Sequence, residues 1–321
     1  MKKIDFSLVT TCRNEIGSVA TWKDNVLEQT LQPDEIVIVD AFSNDGTFEF
    51  LQEWSIEDSR VKVIQEKGAV AKGRNTAVRN SKYEYILSTD MGVKIDKKWC
   101  EYLIHPFLID NTIEVVAGNY KVLLNNTPLA YAENFLFPHD RTLEYGFIPS
   151  NRSIAYLKRI WSQVGEYPED LSFAGDDSVF GRQLIQENFN FAFASEAIVY
   201  WERPQTFKLL LKERFVYGFG DGEAFINTPM LFKLYFEYGL PKIFLAPLNF
   251  VLNFVRLYSL KAMFKALVEF KFKTFFLIPI LSSGCAYHTV KGYILGYNKG
   301  INSCIDCRNR IHRNSKGYSV I

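Results

Sequence analysis

Over residues 1–120 short apolar runs alternate with stretches of helical spacing. IDFSLVTT, EIVIVD, VKVIQ and YEYILSTD are short, rich in β-branched residues and bounded by polar turns, which predicts buried strands. Residues 19–29, GTFEFLQEW and AVAKGRNTAVRN lie between them and repeat their apolar positions every three or four residues, which predicts helices. A further helix is predicted over residues 97–109 and a strand at EVVAGNY. This alternation predicts an α/β fold, with a mainly parallel central sheet flanked by helices and right-handed crossovers. Ligands of such sheets gather at the carboxyl ends of the strands. Polar residues stand there: Thr10, Thr11 and Asn14 after the first strand, Asp40 after the second, Thr89 and Asp90 after the fourth.

The pattern is weaker over residues 121–175, which hold a loop with His139 and Asp140, the segment PSNRSIAY and a short helix near residues 157–164. DDSVFGRQLIQE predicts a helix with two acids in its first turn, where the helix dipole favours them. FAFASEAIVYW predicts one or two strands and FKLLLKERFVYG a further helix. From Pro229 the character changes. Residues 243–255 and 274–290 are uncharged, but Pro247 and two Asn residues interrupt the first, and Pro279, Ser282, Ser283, Gly284 and His288 the second. Neither suits a spanning helix of about 20 residues. Between them LKAMFKALVEFKFK sets Lys261, Lys265 and Glu269 on one helical face and Leu260, Phe264, Leu267 and Val268 on the other. That pattern fits an interfacial helix, or a surface helix lying on a core.

Charge sharpens this division. Residues 1–229 carry 24 Lys and Arg against 33 Asp and Glu, whereas residues 230–321 carry 13 against 3. A basic part rich in Phe and Leu predicts a membrane surface as partner rather than nucleic acid. The five cysteines (Cys12, Cys100, Cys285, Cys304 and Cys307) are an odd count concentrated late in the chain. They form no disulfide framework and point to a reducing compartment. The CIDC pair has no second CxxC to complete a metal site. Asp5 breaks the N-terminal apolar run, so it reads as a strand rather than a signal peptide.

Four patches carry candidate chemistry. In VDAFSNDGT, Asp40 can accept a base N–H or hold a ribose hydroxyl; alternatively Asp40 and Ser43 only cap the turn. In GAVAKGRNTAVRN, Arg74 and Lys72 can neutralise a diphosphate; alternatively they form an exposed basic helix face. In STDMGVKID, Asp90 directly follows a buried strand, where an unused and unpaired acid is costly. It is a candidate ligand for a ribose or a divalent metal, and Asp96 reads as a helix cap. In FAGDDSVFGRQL, Asp176 and Asp177 can divide two roles, one hydrogen-bonded and one acting as base, or simply charge a helix N-terminus.

Together and in this order, these patches and SLVTTCRNE resemble the family 2 glycosyltransferases of the GT-A fold, over roughly residues 5–225. The resemblance implies a catalytic domain over residues 1–228 and leaves residues 229–321 as a helical, basic, membrane-associated region. It implies that Thr11, Glu15 and Asp40 hold the base and ribose of a nucleotide-sugar donor, that Arg74 lies near the donor, and that Asp90 faces ribose or metal. Asp177 would be the general base, with Asp176 beside it. The acceptor hydroxyl of a lipid-linked or surface polysaccharide would then displace the nucleotide diphosphate and invert the anomeric centre. The expected location is the cytoplasmic face of a membrane, peripheral or monotopic, where activated sugars are made. The second acid of the family's Asp-x-Asp site is Gly92 here. A divalent Mg²⁺ or Mn²⁺ therefore has fewer protein ligands, gains one from a residue such as His139 or Asp140, or is not needed. KERFVYGFG departs from the family's later Gln/Arg-x-x-Arg-Trp motif, which favours transfer of single sugars over processive synthesis; Asp221, just after it, lines the acceptor side or lies in a plain loop. Two other functions compete: a nucleotide-sugar-binding protein without catalysis, and a sugar nucleotidyltransferase, for which the Gly-rich, Lys-containing loop is missing from TTCRNEIGS.

Overall fold

A computed structural model describes residues 3–137, 148–229, 232 and 257–303. The expectations attached to His139, Asp140, Cys304, Cys307 and residues 243–255 lie outside them. The chain divides into two compact units. The first comprises Met1–Val122, Asp140–Glu169 and Asp176–Glu202. It holds β1 (Phe6–Cys12), α1 (Val19–Leu27), β2 (Glu35–Asp40), α2 (Thr47–Glu57), β3 (Val61–Gln65), α3 (Val70–Arg79), β4 (Tyr85–Ser88), β5 (Val93–Ile95) and α4 (Trp99–Ile109). After these come β6 (Val115–Leu123), β7 (Ile154–Leu157), α6 (Lys158–Gln163), α7 (Asp176–Gln186) and β8 (Phe191–Glu202); α5 (Pro128–Leu136) is set in the second unit.

The strands form one sheet in the order β3-β2-β1-β4-β7-β6-β8-β5. Its first four strands are parallel. The β4/β7, β7/β6 and β5/β8 pairs are antiparallel. The sheet is therefore mixed, a correction to the mainly parallel expectation. The parallel half was predictable because strands buried on both faces read as continuous apolar runs. In the other half, β5 and β7 have three and four residues, too few to show a period.

Helix packing follows the apolar spacing. Val19, Trp22 and Val26 of α1 and Leu51 and Trp54 of α2 are buried, and the two indoles meet edge to face with centroids 6.1 Å apart. A Cβ at Gly73 of α3 would come within 2.9 Å of the Thr11 Cγ2, so glycine there lets α3 lie close on β1. Asn75 fixes the same helix. Fully buried, it donates to the Tyr167 carbonyl (2.8 Å) and accepts from the Trp161 indole (2.9 Å) and the Tyr167 backbone N–H (2.9 Å).

The second unit comprises Leu123–His139, Asp170–Gly175 and Arg203–Ile321. Besides α5 it contains α8 (Phe207–Glu223), α9 (Leu257–Val268) and α10 (Phe272–Ser303). The Thr127 hydroxyl caps α5, accepting from the Ala130 N–H, with Pro128 next in the chain. Helices α8 and α10 pack almost backbone to backbone. A Cβ at Gly218 or Gly222 would lie 2.2 Å from the carbonyl oxygen of Thr289 or Tyr293. A Cβ at Gly292 or Gly296 would lie 2.2 Å or 1.9 Å from that of Phe215 or Phe219. Beside them, the buried Arg203 pairs with Glu133 (2.9 Å) and Glu213 (2.6 Å). Asp221 lies within α8 rather than in a loop, and accepts from the Asn227 amide at 2.9 Å. None of the described helices is long and apolar enough to cross a membrane.

Candidate active site

The candidate residues all belong to the first unit. Parallel pairing sets Cys12 beside Asp40 and Asp40 beside Gln65 at the carboxyl ends of β1, β2 and β3. Asp40 is buried, and its carboxylate is well supplied with donors: the Ser43 backbone N–H (3.0 Å) and hydroxyl, the Gln65 amide (3.1 Å) and the Cys12 thiol (3.8 Å). It thus braces the turn that follows it. Burial, with Asp40 and Glu15 nearby, pushes the Cys12 thiol well above its ordinary range and leaves it an inert donor. The turn is tied to the loop after β1: the Asn14 N–H donates to the Ser43 hydroxyl (2.8 Å) and the Asn44 N–H to the Asn14 side chain (3.0 Å). Phe42 sits in this turn with φ 56° and is 54% exposed. A bulky residue held left-handed with its ring in solvent is a strained arrangement of the kind found at binding sites.

The centre of the site is Arg74. It is 8% exposed, so it does not lie on an exposed basic face, whereas Lys72 is paired with Glu66 at 2.7 Å. The Arg74 guanidinium donates to Asp90 (2.8 Å) and, through its other nitrogen, to Asp176. One cation thus joins the end of β4 to the start of α7. Arg74 itself is held protonated: burial disfavours its charge, but Asp176, Asp90 and Asp177 outweigh that. Burial would raise the Asp90 carboxyl, yet Arg74 and Arg152 hold it below the usual carboxylate range. Asp176 is shifted the other way. Its burial, with Asp177 and Asp90 adding negative charge, outweighs Arg74 and raises it.

The acid pair divides as the sequence allows. Asp176 is buried against Arg74; Asp177 is partly exposed and accepts from the Ser150 hydroxyl at 3.5 Å. The PSNRSIAY segment, which supplies Ser150, is central to the site. Asn151 accepts from Ser88 and from the Tyr167 hydroxyl, both at 2.8 Å, which turns its amide nitrogen toward Asp90 at 3.4 Å. Arg152 lays its guanidinium 3.9 Å from the Trp201 ring centroid. A Cβ at Gly181 would come within 2.7 Å of Ile148, so glycine lets α7 approach this segment. The available signal was a polar SNRS run immediately before an apolar strand.

The loop after β1 reaches the same region. Both Glu15 carboxylate oxygens lie 3.7 Å from where a Cβ at Gly92 would stand. The Glu15 carboxylate therefore occupies space toward which an acid at position 92 would project. Asp90 and Glu15 each offer the hard carboxylate oxygens that Mg²⁺ or Mn²⁺ takes alongside substrate phosphates. Among the described residues no group of three or more His, Cys, Asp or Glu forms a metal cage by itself.

The chain is similar to known proteins in both sequence and structure. The glycosyl transferase family 2 profile matches residues 7–163. The glycosyltransferase GlyG of Streptococcus pneumoniae serotype 4 is 31% identical over 99 residues, 30% of this chain and 33% of that protein. Poly-β-1,6-N-acetyl-D-glucosamine synthase of Staphylococcus aureus is 21% identical over 238 residues, 69% of this chain and 55% of that protein. This chain thus spans a third to about half the length of these relatives. In structure it is similar to a mannosyltransferase of Pyrobaculum calidifontis solved with GDP-mannose and Mn²⁺ (TM-score 0.56, 15% identity, 94% of this chain and 88% of that one). It is also similar to S. aureus TarS solved with UDP (TM-score 0.51, 15% identity, 94% and 92%). Those two likenesses are of fold. Over residues 7–163 the chain is a member of glycosyl transferase family 2, built on the GT-A fold.

Proposed function

We propose that this protein is an inverting glycosyltransferase that moves a sugar from a nucleotide-diphosphate-sugar to a hydroxyl of a lipid-linked or surface polysaccharide acceptor. The observation that carries the reading is the sharing of Arg74 by Asp90 and Asp176, with the more exposed Asp177 next in the chain. The buried acid holds the constellation; the accessible one remains for chemistry. Asp177 takes the proton of the acceptor hydroxyl as its oxygen attacks the anomeric carbon. The bond to the diphosphate breaks, and that single displacement inverts the centre. Negative charge develops on the leaving diphosphate, where preorganised cations contribute most. Arg152, stacked on Trp201, is a cation suited to this, while Arg74 acts as a positioning residue. Phe42, Thr11 near the end of β1 and Glu15 in the loop that follows offer an aromatic ring and polar groups to the base and ribose.

The mannosyltransferase relative solved with Mn²⁺ supports a metal-assisted version. Asp90 and Glu15 would hold the ion, which would neutralise the diphosphate. Glu15 then takes the place of the acid missing at Gly92, beside or instead of its role toward the nucleotide. The family match speaks against the nucleotidyltransferase alternative. Binding without catalysis remains the competing reading, motivated by Gly92, and one assay separates the two. Donor turnover with a glycan acceptor, in a panel of UDP- and GDP-sugars, should fall steeply in Asp177→Asn while donor binding persists. Tight donor binding with no turnover for any donor or acceptor would favour the binding protein.

A further inference from the structure

The second unit carries an apolar surface that the site does not use. Helix α9 turns its small residues inward: Ser259, Ala262 and Ala266 are buried. Its large apolar residues point outward, and Leu260, Phe264 (69%) and Val268 are exposed. The exposed set continues through the connection into α10 with Phe270 (80%), Phe272 and Phe276 (70%). A surface helix of a soluble domain has the opposite orientation, with bulky side chains inward. Contiguous exposed apolar groups of this kind mark interaction surfaces.

The turn between the helices adds an independent sign. The Phe270 N–H bonds the Leu267 carbonyl (3.0 Å) and the Lys271 N–H bonds the Ala266 carbonyl (2.8 Å), closing α9 in the way that glycine usually closes a helix. Phe270 occupies the left-handed position, with φ 55°. A phenylalanine is held where glycine is preferred, and its ring gains no burial in return.

Charge identifies the occupant. Lys261 and Lys273 are exposed in the same stretch, Lys265 and Lys271 lie over the Phe135 and Tyr131 rings, and Glu269 is the single acid between residues 257 and 273. A second copy meeting this face with its own would bring lysines against lysines. An anionic lipid surface satisfies both features, taking the rings into its acyl boundary and the ammonium groups among its headgroups. With no described helix long and apolar enough to span a bilayer, the mode is interfacial. We infer that the α9–α10 elbow is an anionic-membrane docking surface, inserted through Phe264, Phe270 and Phe276. This inference stands independently of the chemistry assigned to Asp177.

Flotation of the full chain tests it, using vesicles of phosphatidylcholine with and without phosphatidylglycerol. Binding is expected to the anionic vesicles, to weaken as salt rises, and to fall about tenfold or more in Phe264→Ser/Phe270→Gly/Phe276→Ser. Phe270→Gly alone separates docking from folding. It relieves the left-handed strain, so its melting temperature should hold while vesicle binding drops. Lys261→Glu/Lys273→Glu should remove the preference for anionic lipid. Absence of vesicle binding, equal binding to neutral vesicles, or binding that survives the triple substitution would each overturn the inference. So would a dimer in sedimentation that dissociates on the Phe substitutions without any lipid binding, which would assign the face to a second copy.

Discussion

Arg74 and Asp90 stand 16 residues apart, and their side chains meet at 2.8 Å in a site where Asp176 occupies the other guanidinium nitrogen. The two acids start from different elements, the end of β4 and the first turn of α7. A single planar cation with two donor edges is the group that can hold both.

Replacing Arg74 therefore removes more than a charge. Arg74→Met should lower stability by about 3–5 kcal/mol, because the buried Asp176 carboxylate and the partly exposed Asp90 lose their counter-ion. Arg74→Lys keeps the charge but has no second edge, and should still lose turnover. Urea unfolding and donor-turnover assays check both; an Arg74→Met protein as stable as wild type would refute the bridging role.

The two adjacent acids should separate in their effects. Asp177→Asn is expected to cut kcat by roughly 10²–10⁴ with little change in melting temperature, as for loss of a general base. Asp176→Asn should change stability as well as turnover, since its partner is buried. Equal thermal effects from both substitutions would contradict the division of roles.

Acid titration of stability should show both carboxyl shifts with opposite sign. Asp90 is depressed in the folded protein, so its contribution is present above the unfolded carboxyl value of about 3.9 and is lost as pH falls through its lower folded value. Asp176 is raised, so the folded form binds its proton first, and stability is gained as pH falls from its folded value toward about 3.9. The difference in melting temperature between wild type and Asp176→Asn, followed from neutral pH downward, should therefore shift in favour of wild type before Asp90 begins to titrate. A pH-independent difference would exclude a raised Asp176.

Metal binding should depend on Glu15. With UDP or GDP present, Mn²⁺ affinity read by electron paramagnetic resonance should weaken about tenfold or more in Glu15→Gln. Gly92→Asp added to Glu15→Gln should restore part of it, because the new carboxylate projects toward the space the residue-15 side chain occupies. Unchanged Mn²⁺ affinity in Glu15→Gln would remove Glu15 from the ligand set.

Much of this was legible beforehand, for a definite reason. The buried runs of β1, β2, β3 and β4, and the acids at their ends, report their environment within a few residues. Asp90 at a strand end, and Asp176 and Asp177 in the first turn of a helix, could be read that way. The contribution of Ser150, Asn151 and Arg152 could not, because Asn151 meets Asp90 across 61 residues of chain and Ser150 meets Asp177 across 27. Nothing local distinguishes such a run from a surface turn. Arg74 illustrates the limit most clearly: its helix reads as basic and polar, and only tertiary contacts reveal that Arg74, Asn75 and Thr76 are buried. The cap at Thr127–Pro128 and the four-residue glycine spacing of α10 were local signals of α5 and of the close packing on α8.

The close approach of α8 and α10 has a consequence for how that pair can change. Where side chains interdigitate, a small sliding motion can be absorbed by rotamer adjustment. Where glycines meet main-chain carbonyls at four-residue intervals, intermediate offsets bring Cβ-bearing residues into the clash positions. A whole-turn shift of about 5.4 Å fares no better, because it sets Arg214 where Gly218 now meets Thr289. The pair should move as one rod, transmitting any displacement of α10 to α8 at full amplitude.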